Sequence, residues 1–404
     1  MVQQRYVICL MIVIVITVSL SSRVCFSMIL TQMVFIPNLN QTKNPNHEII
    51  CPANMIQETS QDNQNSTILN INDERFQWSQ ELQGIILSSF NWGYALAMFS
   101  SGMLVQKYGA KSVLLVGFFM SAIIIILTPL AVTLGDVYLL TIARASTGLF
   151  QAPLFPCCAA FKIAWFPVEQ RGRFSALIAI GMSIGGIFIV YFTGILMSFA
   201  GRWDLAFYFH GAITMLCCIF IPFLCYDRPH SHPFITEKEK GFLAQKINYL
   251  HNEDNLSTPW RKILTNPPVM TLIIVSSIAS LSSNVIYYDL SKYMNDVLHL
   301  SIKRNTQYLS IPLFSSLFFA IFVGLMSDWM LKKRIVSLTK IRKICVALSS
   351  MLPGIFLVAA SYAECDETQV VIYFVLAHAF DEINISGTWP NVLDLAPNYV
   401  GPIT

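Results

Sequence analysis

Charge is scarce in this sequence. Of its 404 residues, 12% are Asp, Glu, Lys or Arg, while 54% are hydrophobic. A soluble domain carries about 25% charged residues. So little charge cannot clothe a water-exposed surface, which excludes an ordinary soluble fold. A net charge of +3 is also too small to point to nucleic acid. The ten cysteines show no repeated CxxC. No His, Cys, Asp and Glu grouping has metal-ligand spacing, and no Ser-His-Asp order marks a nucleophile. Neither an enzyme nor a metal or organic cofactor is expected.

Long uncharged runs take the place of charge. A membrane-spanning helix needs roughly 20 mostly apolar residues. Runs without Asp, Glu, Lys or Arg cover Leu82–Gln106, Ser112–Gly135, Phe174–Gly201, Leu205–Tyr226, Ile263–Tyr288, Asn305–Ser327 and Ile344–Ala363. Three more segments span only with a charge inside: Tyr6–Ile36 around Arg23, Val137–Phe161 around Arg144, and Thr368–Pro390 around Asp381 and Glu382. That makes ten spans, and Tyr399–Thr404 reads as the start of an eleventh. The chain is expected to stop short of its last membrane helices. The first 22 residues also have the pattern of a signal peptide, but apolar sequence resumes after Arg23, so a span is the preferred reading.

Lys and Arg mark cytoplasmic loops. They gather after the second, fourth, sixth and eighth spans, which places the N-terminus in the cytoplasm. The loop 37–80 then lies outside or in a lumen, where its sequons at Asn40 and Asn65 would be glycosylated. Cys51 and Cys365 fall on that same side, and a disulfide between them is left open. The cysteines inside spans read as small core residues. Residues 227–268 are polar and split the chain into a six-span half, 1–226, and an incomplete second half, 269–404. Within this loop a helix is expected from Thr236 to about Leu250. Gly102 and Gly324 each precede a polar residue and cations at a cytoplasmic helix end, a weak internal echo. These glycines read as points of close helix approach.

Several phrases carry a resemblance. They are Ser89-Phe90-Asn91-Trp92-Gly93-Tyr94, the stretch from Arg144 through Gly148, Gln151 and Pro156, Trp165-Phe166-Pro167 with Arg171-Gly172-Arg173, Gly201-Arg202-Trp203, Thr258-Pro259-Trp260-Arg261, and Asn391 to Tyr399. Together and in order, they are similar to the anion–cation symporter branch of the major facilitator superfamily, the group of sodium/phosphate cotransporters, sialin and vesicular glutamate transporters. The resemblance implies an all-α membrane fold of two six-helix bundles, here truncated to ten or eleven helices. It implies a secondary carrier of small anions, inorganic phosphate or organic, working by alternating access. Sodium or a proton would drive it, in the plasma membrane or in a vesicular or lysosomal one. A monomer in the bilayer is expected. The competing readings are a carrier-like sensor without flux and an inactive truncated product.

A charge at mid-bilayer costs at least roughly 2.5–3.5 kcal/mol. Arg23 and Arg144 lie deepest in apolar sequence, and a guanidinium fork suits carboxylate or phosphate oxygens. Both are candidates to line a central cavity and bind the anion, with Gln151, Trp92 and Tyr94 beside them. The alternative is that they snorkel or pair with a carbonyl or an acid. Gln151 stands where the glutamate and sialic acid carriers have an acid, which argues against glutamate as the substrate and against proton coupling at that site. Asp381 and Glu382 are candidates for the coupling ion, or else pair with His378. His210 reads as a packed histidine bonded to a carbonyl. Asp394 reads as a helix cap. Gly181 and Gly185 read as a packing face, and Pro153 and Pro156 should kink the fourth span near Arg144.

Overall fold

The computed structural model describes residues 3–34, 76–167, 170–247, 265–284, 290–296, 298, 302–363 and 366–384. The described residues are helical apart from turns and one isolated bridge, Val34 to Phe76. Twelve α-helices follow in order. They are α1 Gln4–Met33, α2 Gln80–Tyr108, α3 Ala110–Gln151, α4 Leu154–Trp165, α5 Arg171–Ala200, α6 Asp204–Leu224, α7 Glu237–Ile247, α8 Pro267–Asn284, α9 Leu290–Asp296, α10 Ile302–Lys332, α11 Leu338–Ser361 and α12 Glu367–Asp381. Each of the ten expected spans has its helix. Asn40, Asn65, Cys51, Cys365, Asp394 and Tyr399–Thr404 lie outside the described residues.

The breaks between helices follow from local chemistry. The side chain of Ser79 accepts from Leu82 N and caps α2. Gly109, at φ 83°, ends α2 and starts α3. Only glycine takes that backbone cheaply. The start of α3 is capped from the end of α6, where Asp227 Oδ1 accepts from Lys111 N at 2.8 Å. Gly135 and Asp136 leave helical geometry, so α3 is two arms folded back on each other. These arms are the third span and the first part of the fourth. The fourth span breaks again at Ala152–Pro153, between α3 and α4. The prolines thus act immediately after Gln151, two turns beyond Arg144.

Among the described residues, six helices or fused helices are long and apolar enough to cross a membrane, with α3 and α4 counted as one run. Large apolar side chains face outward. Phe199 is 94% exposed and Phe99 89%. Such a surface is at home in lipid and not in water. Hydroxyls inside the spans donate back to carbonyls one turn earlier, as Ser89 does to Ile86 and Thr147 to Ala143. This satisfies polar atoms that have no water to bond.

α1 is the central element. It packs on α5 and α6 and touches α9 of the second half. It runs unbroken through Ser19–Arg23, as a built-in span does. Its N-terminus is held by α7: Glu239 accepts from the backbone N–H groups of Gln4 and Arg5 at 3.0 and 3.3 Å. α2 lies along α3, and α3 along α6. In the second half α12 packs on α10 and α11. The halves join mainly through α5 and α10.

Glycines decide two of these contacts. A Cβ on Gly93 would strike the Ala145 carbonyl, and one on Gly148 would strike that of Phe90. The backbones of α2 and α3 therefore touch. Gly181 and Gly185 face Val13 and Thr17 of α1, so they form a packing face. Gly102 and Gly324 correct an expectation. Among the described residues nothing lies within 4 Å of a Cβ on either, so no described helix approaches closely there.

One apolar core is shared by both halves, from Phe26, Met28 and Met33 to Met294, Leu309 and Phe374. At the opposite end the cores are separate. Ile8, Leu114, Phe161 and Cys217 belong to one, and Val323, Ile341 and Ile383 to another. Among the described residues, the two halves thus share a core at one end and pack in separate cores at the other.

Candidate functional site

The middle of α1 contributes Ser19 and Arg23, one helical turn apart and both buried. The end of α3 contributes Arg144 and Gln151, two turns apart on one face and also buried. The point of closest α2–α3 contact brings Phe90 and Tyr94. These side chains meet. Arg23 Nε donates to Gln151 Oε1 at 3.2 Å, and its Nη2 lies 3.4 Å from Ser19 Oγ. Ser19 donates to the same Gln151 oxygen at 2.8 Å.

The guanidinium of Arg23 lies over two rings, 4.6 Å from the Phe90 centroid and 4.8 Å from that of Tyr94. That of Arg144 lies 3.7 Å from the Phe26 centroid and 5.3 Å from that of Phe90. Phe90 therefore sits beneath both cations. A desolvated cation–π contact contributes about 2 kcal/mol. It offsets part of the cost of a buried charge without neutralising it. Among the described residues, the polar partners of Arg23 are neutral oxygens and not carboxylates.

Arg144 also lines a small cavity of about 10 Å³ with Ser22, Thr128, Thr147, Phe207 and His210. That is room for about one water. His210 is 3% exposed. Its Nε2 lies 3.2 Å from the Thr193 hydroxyl, so its ring partner is a hydroxyl and not the expected carbonyl.

Trp92 is not part of this group. It is 55% exposed on the outer face of α2. Two residues along a helix rotate a side chain by about 200°, so Trp92 faces away from Phe90 and Tyr94. Phe90, Phe26 and Ser19 join the site although sequence reasoning passed over them. The signal was spacing: Phe90 and Tyr94 are one turn apart, as are Ser19 and Arg23.

Asp381, at the end of α12, makes no hydrogen bond to this cluster among the described residues and bonds instead to α8. It is 7% exposed, and its Oδ2 accepts from Ser283 of α8 at 2.6 Å. Its Oδ1 has no hydrogen-bond partner among the described residues. Glu382 caps α12 and is partly exposed. Among the described residues no group of His, Cys, Asp and Glu could hold a metal ion.

The family model for the Major Facilitator Superfamily matches residues 10–402. The chain belongs to that superfamily. A putative inorganic phosphate cotransporter of Drosophila ananassae is 30% identical over 81% of this chain and 68% of its own length. Human sodium-dependent phosphate transport protein 1 is 28% identical over 82% of this chain and 71% of its own. A probable small intestine urate exporter of Homo sapiens is 29% identical over 81% of this chain and 65% of its own. These relatives fit the anion–cation symporter group of the superfamily. Among solved structures, the xylose transporter XylE from E. coli, partially occluded and inward open, superposes with a TM-score of 0.65 at 14% identity, over 99% of this chain and 89% of its own. A bacterial homolog of the human lysosomal transporter Spinster, inward-facing and occupied, gives 0.62 at 13% identity, over 100% of this chain and 77% of its own. The fold is that of a major facilitator transporter, and the chain is a multi-pass membrane protein.

Proposed function

We propose that this superfamily member is a secondary carrier of small anions, inorganic phosphate or an organic anion, and that Arg23 and Arg144 bind the passenger. One observation carries the reading. Two buried guanidinium groups converge on the single ring of Phe90, and the partners of Arg23 are neutral. An anion arriving there meets the Arg23 guanidinium in a low dielectric, where each charge-assisted hydrogen bond is strong. Gln151 fixes Arg23 and replaces the acid that would repel a second negative charge. Relatives named for phosphate and urate support the substrate class.

Transport proceeds by alternating access. A core shared at one end and divided at the other supports a two-state rocking of the halves. The driving ion is sodium or a proton, and Asp381, buried and bonded to Ser283, is the carboxylate offered for it. The carrier works as a monomer with its N-terminus in the cytoplasm, in the plasma membrane or a vesicular one.

Uptake into proteoliposomes tests this. Phosphate, urate, glutamate and sialic acid are compared, with and without a sodium or proton gradient. Saturable uptake of phosphate or urate that Arg144→Ala abolishes in a correctly inserted protein is expected. Unchanged anion uptake in that variant removes the proposal.

A further inference from the structure

The turn between α10 and α11 concentrates positive charge. Lys332, Lys333, Arg334, Lys340 and Lys343 are all exposed there. The sequence holds no Asp or Glu from Trp329 to Ala363, so no local acid balances them. Among the described residues none of these cations forms an ion pair. The corresponding turn of the first half, between α2 and α3, is different. Its Lys111 donates to Pro222 O at 2.6 Å and lies 3.7 Å from the Tyr226 ring centroid, while Asp227 accepts from its backbone N–H. That basic turn is answered from within the protein. The loop bias of Lys and Arg accounts for both turns being basic, but not for one of them being left unpaired.

Backbone geometry adds to this. Arg334 has φ 53°. Its N–H donates to Leu331 O at 3.0 Å, and that of Ile335 donates to Met330 O at 3.1 Å. This pair of bonds closes α10 with a left-handed residue, a position that glycine usually fills. An arginine there accepts backbone strain and sets an exposed guanidinium in the turn. The turn is apolar as well. Trp329 is 51% exposed and Ile335 54%. The Lys333 ammonium lies 4.8 Å from the Trp329 ring centroid. α10 enters the turn as a helix apolar enough to cross a membrane. An indole and an isoleucine among lysines suit the boundary between acyl chains and headgroups. A partner for this surface must offer apolar chains and clustered negative charge together.

We propose that the α10–α11 turn binds the polyphosphorylated headgroup of an inositol lipid in the cytoplasmic leaflet. The fork of Arg334 takes a phosphate, and the lysines add point charges around it. Trp329 and Ile335 rest at the top of the acyl chains. A soluble anion lacks those chains, and phosphatidylserine lacks the clustered charge. The choice of leaflet rests on the cytoplasmic N-terminus proposed above. Headgroup affinity is independent of that orientation and of the arginine site between α1 and α3.

The test titrates the purified full-length protein with short-chain phosphatidylinositol bisphosphate, phosphatidylserine of the same chain length, and inorganic phosphate, read by thermophoresis. Each surface cation contributes about fivefold, so Lys332→Gln, Lys333→Gln and Arg334→Gly together should weaken bisphosphate binding on the order of 100-fold, and less at raised salt. Arg334→Gly alone suits the left-handed backbone, so its melting midpoint should hold or rise while affinity falls about fivefold. That separates lost binding from lost folding. Equal bisphosphate affinity in the wild type and the triple variant overturns the proposal, as does phosphatidylserine binding as tightly. Inorganic phosphate binding should be unchanged by the triple variant. If it weakens as much as the lipid does, the turn is a free-anion site and the lipid assignment falls. Ser337 is exposed in the same turn. In intact cells Ser337→Cys should resist a membrane-impermeant maleimide until the membrane is permeabilised. Labelling without permeabilisation overturns the leaflet and the proposed orientation together, whereas lost lipid discrimination overturns this inference alone.

Discussion

Replacing Gly148 with alanine tests whether the site is built on backbone contact between α2 and α3. The new Cβ would land on the Phe90 carbonyl, which is backbone and cannot swing aside as a side chain would. An ordinary carbon–oxygen contact needs about 3.3 Å, so the helices must part by on the order of 1 Å. Overpacking of this kind costs about 1–3 kcal/mol. The displacement falls on Phe90, the ring beneath both arginines, so anion uptake should fall along with stability. Gly102→Ala is the control. It lies on the same α2, has no described residue within 4 Å of the added Cβ, and should gain roughly 0.8–1 kcal/mol of helix propensity. The two variants should therefore differ by about 2–4 kcal/mol. Thermal unfolding in detergent, followed by size-exclusion profile, reads the order of stability. Equal midpoints for the two variants would refute the close-contact argument.

Arg23→Lys keeps the charge but loses the planar group that lies over Phe90 and Tyr94 and bonds Gln151. Anion affinity should weaken about tenfold, or about 1.4 kcal/mol, and titration binding at wild-type level would count against the stacked geometry. Asp381→Asn keeps a partner for Ser283 and removes the charge, so uptake should lose its dependence on the driving ion while anion binding persists. An unchanged ion dependence would acquit that carboxylate. His232, in the loop after α6, is buried beside Trp165 and Tyr226 and accepts from Phe234 N at 3.1 Å. Burial holds its pKa below the usual histidine value. The unfolded chain then binds the extra proton first, so stability is full above about pH 6.5 and declines as pH falls below it. His232→Asn should flatten that decline in melting temperature, and an equal slope would show that other groups carry it.

Most of the architecture was legible in the residues. The hydrophobic run lengths located every described span. The helix expected from Thr236 appears as Glu237–Ile247. Other features were misread because one-dimensional patterns do not say which neighbour a residue meets. Gly102 looks like a packing glycine but meets none of the described residues, while Gly93 and Gly148 make the contact. Trp92 and Tyr94 share one phrase, yet helical rotation sends them to opposite sides. His210 is polar in an apolar helix, and nothing nearby in sequence announces Thr193 as its partner.

By itself the sequence determined that the protein lives in a membrane, how its helices follow one another, and which superfamily it belongs to. Those properties depend on the makeup of contiguous stretches and on phrases in order, which a linear chain displays directly. Tertiary structure alone decided which charges would be neighbours. Arg23 and Gln151 are 128 positions apart, and Ser283 and Asp381 are 98 apart. Their meeting depends on how each helix turns about its own axis. Small-residue contacts such as Gly148 on Phe90 set that rotation, and no single span contains them.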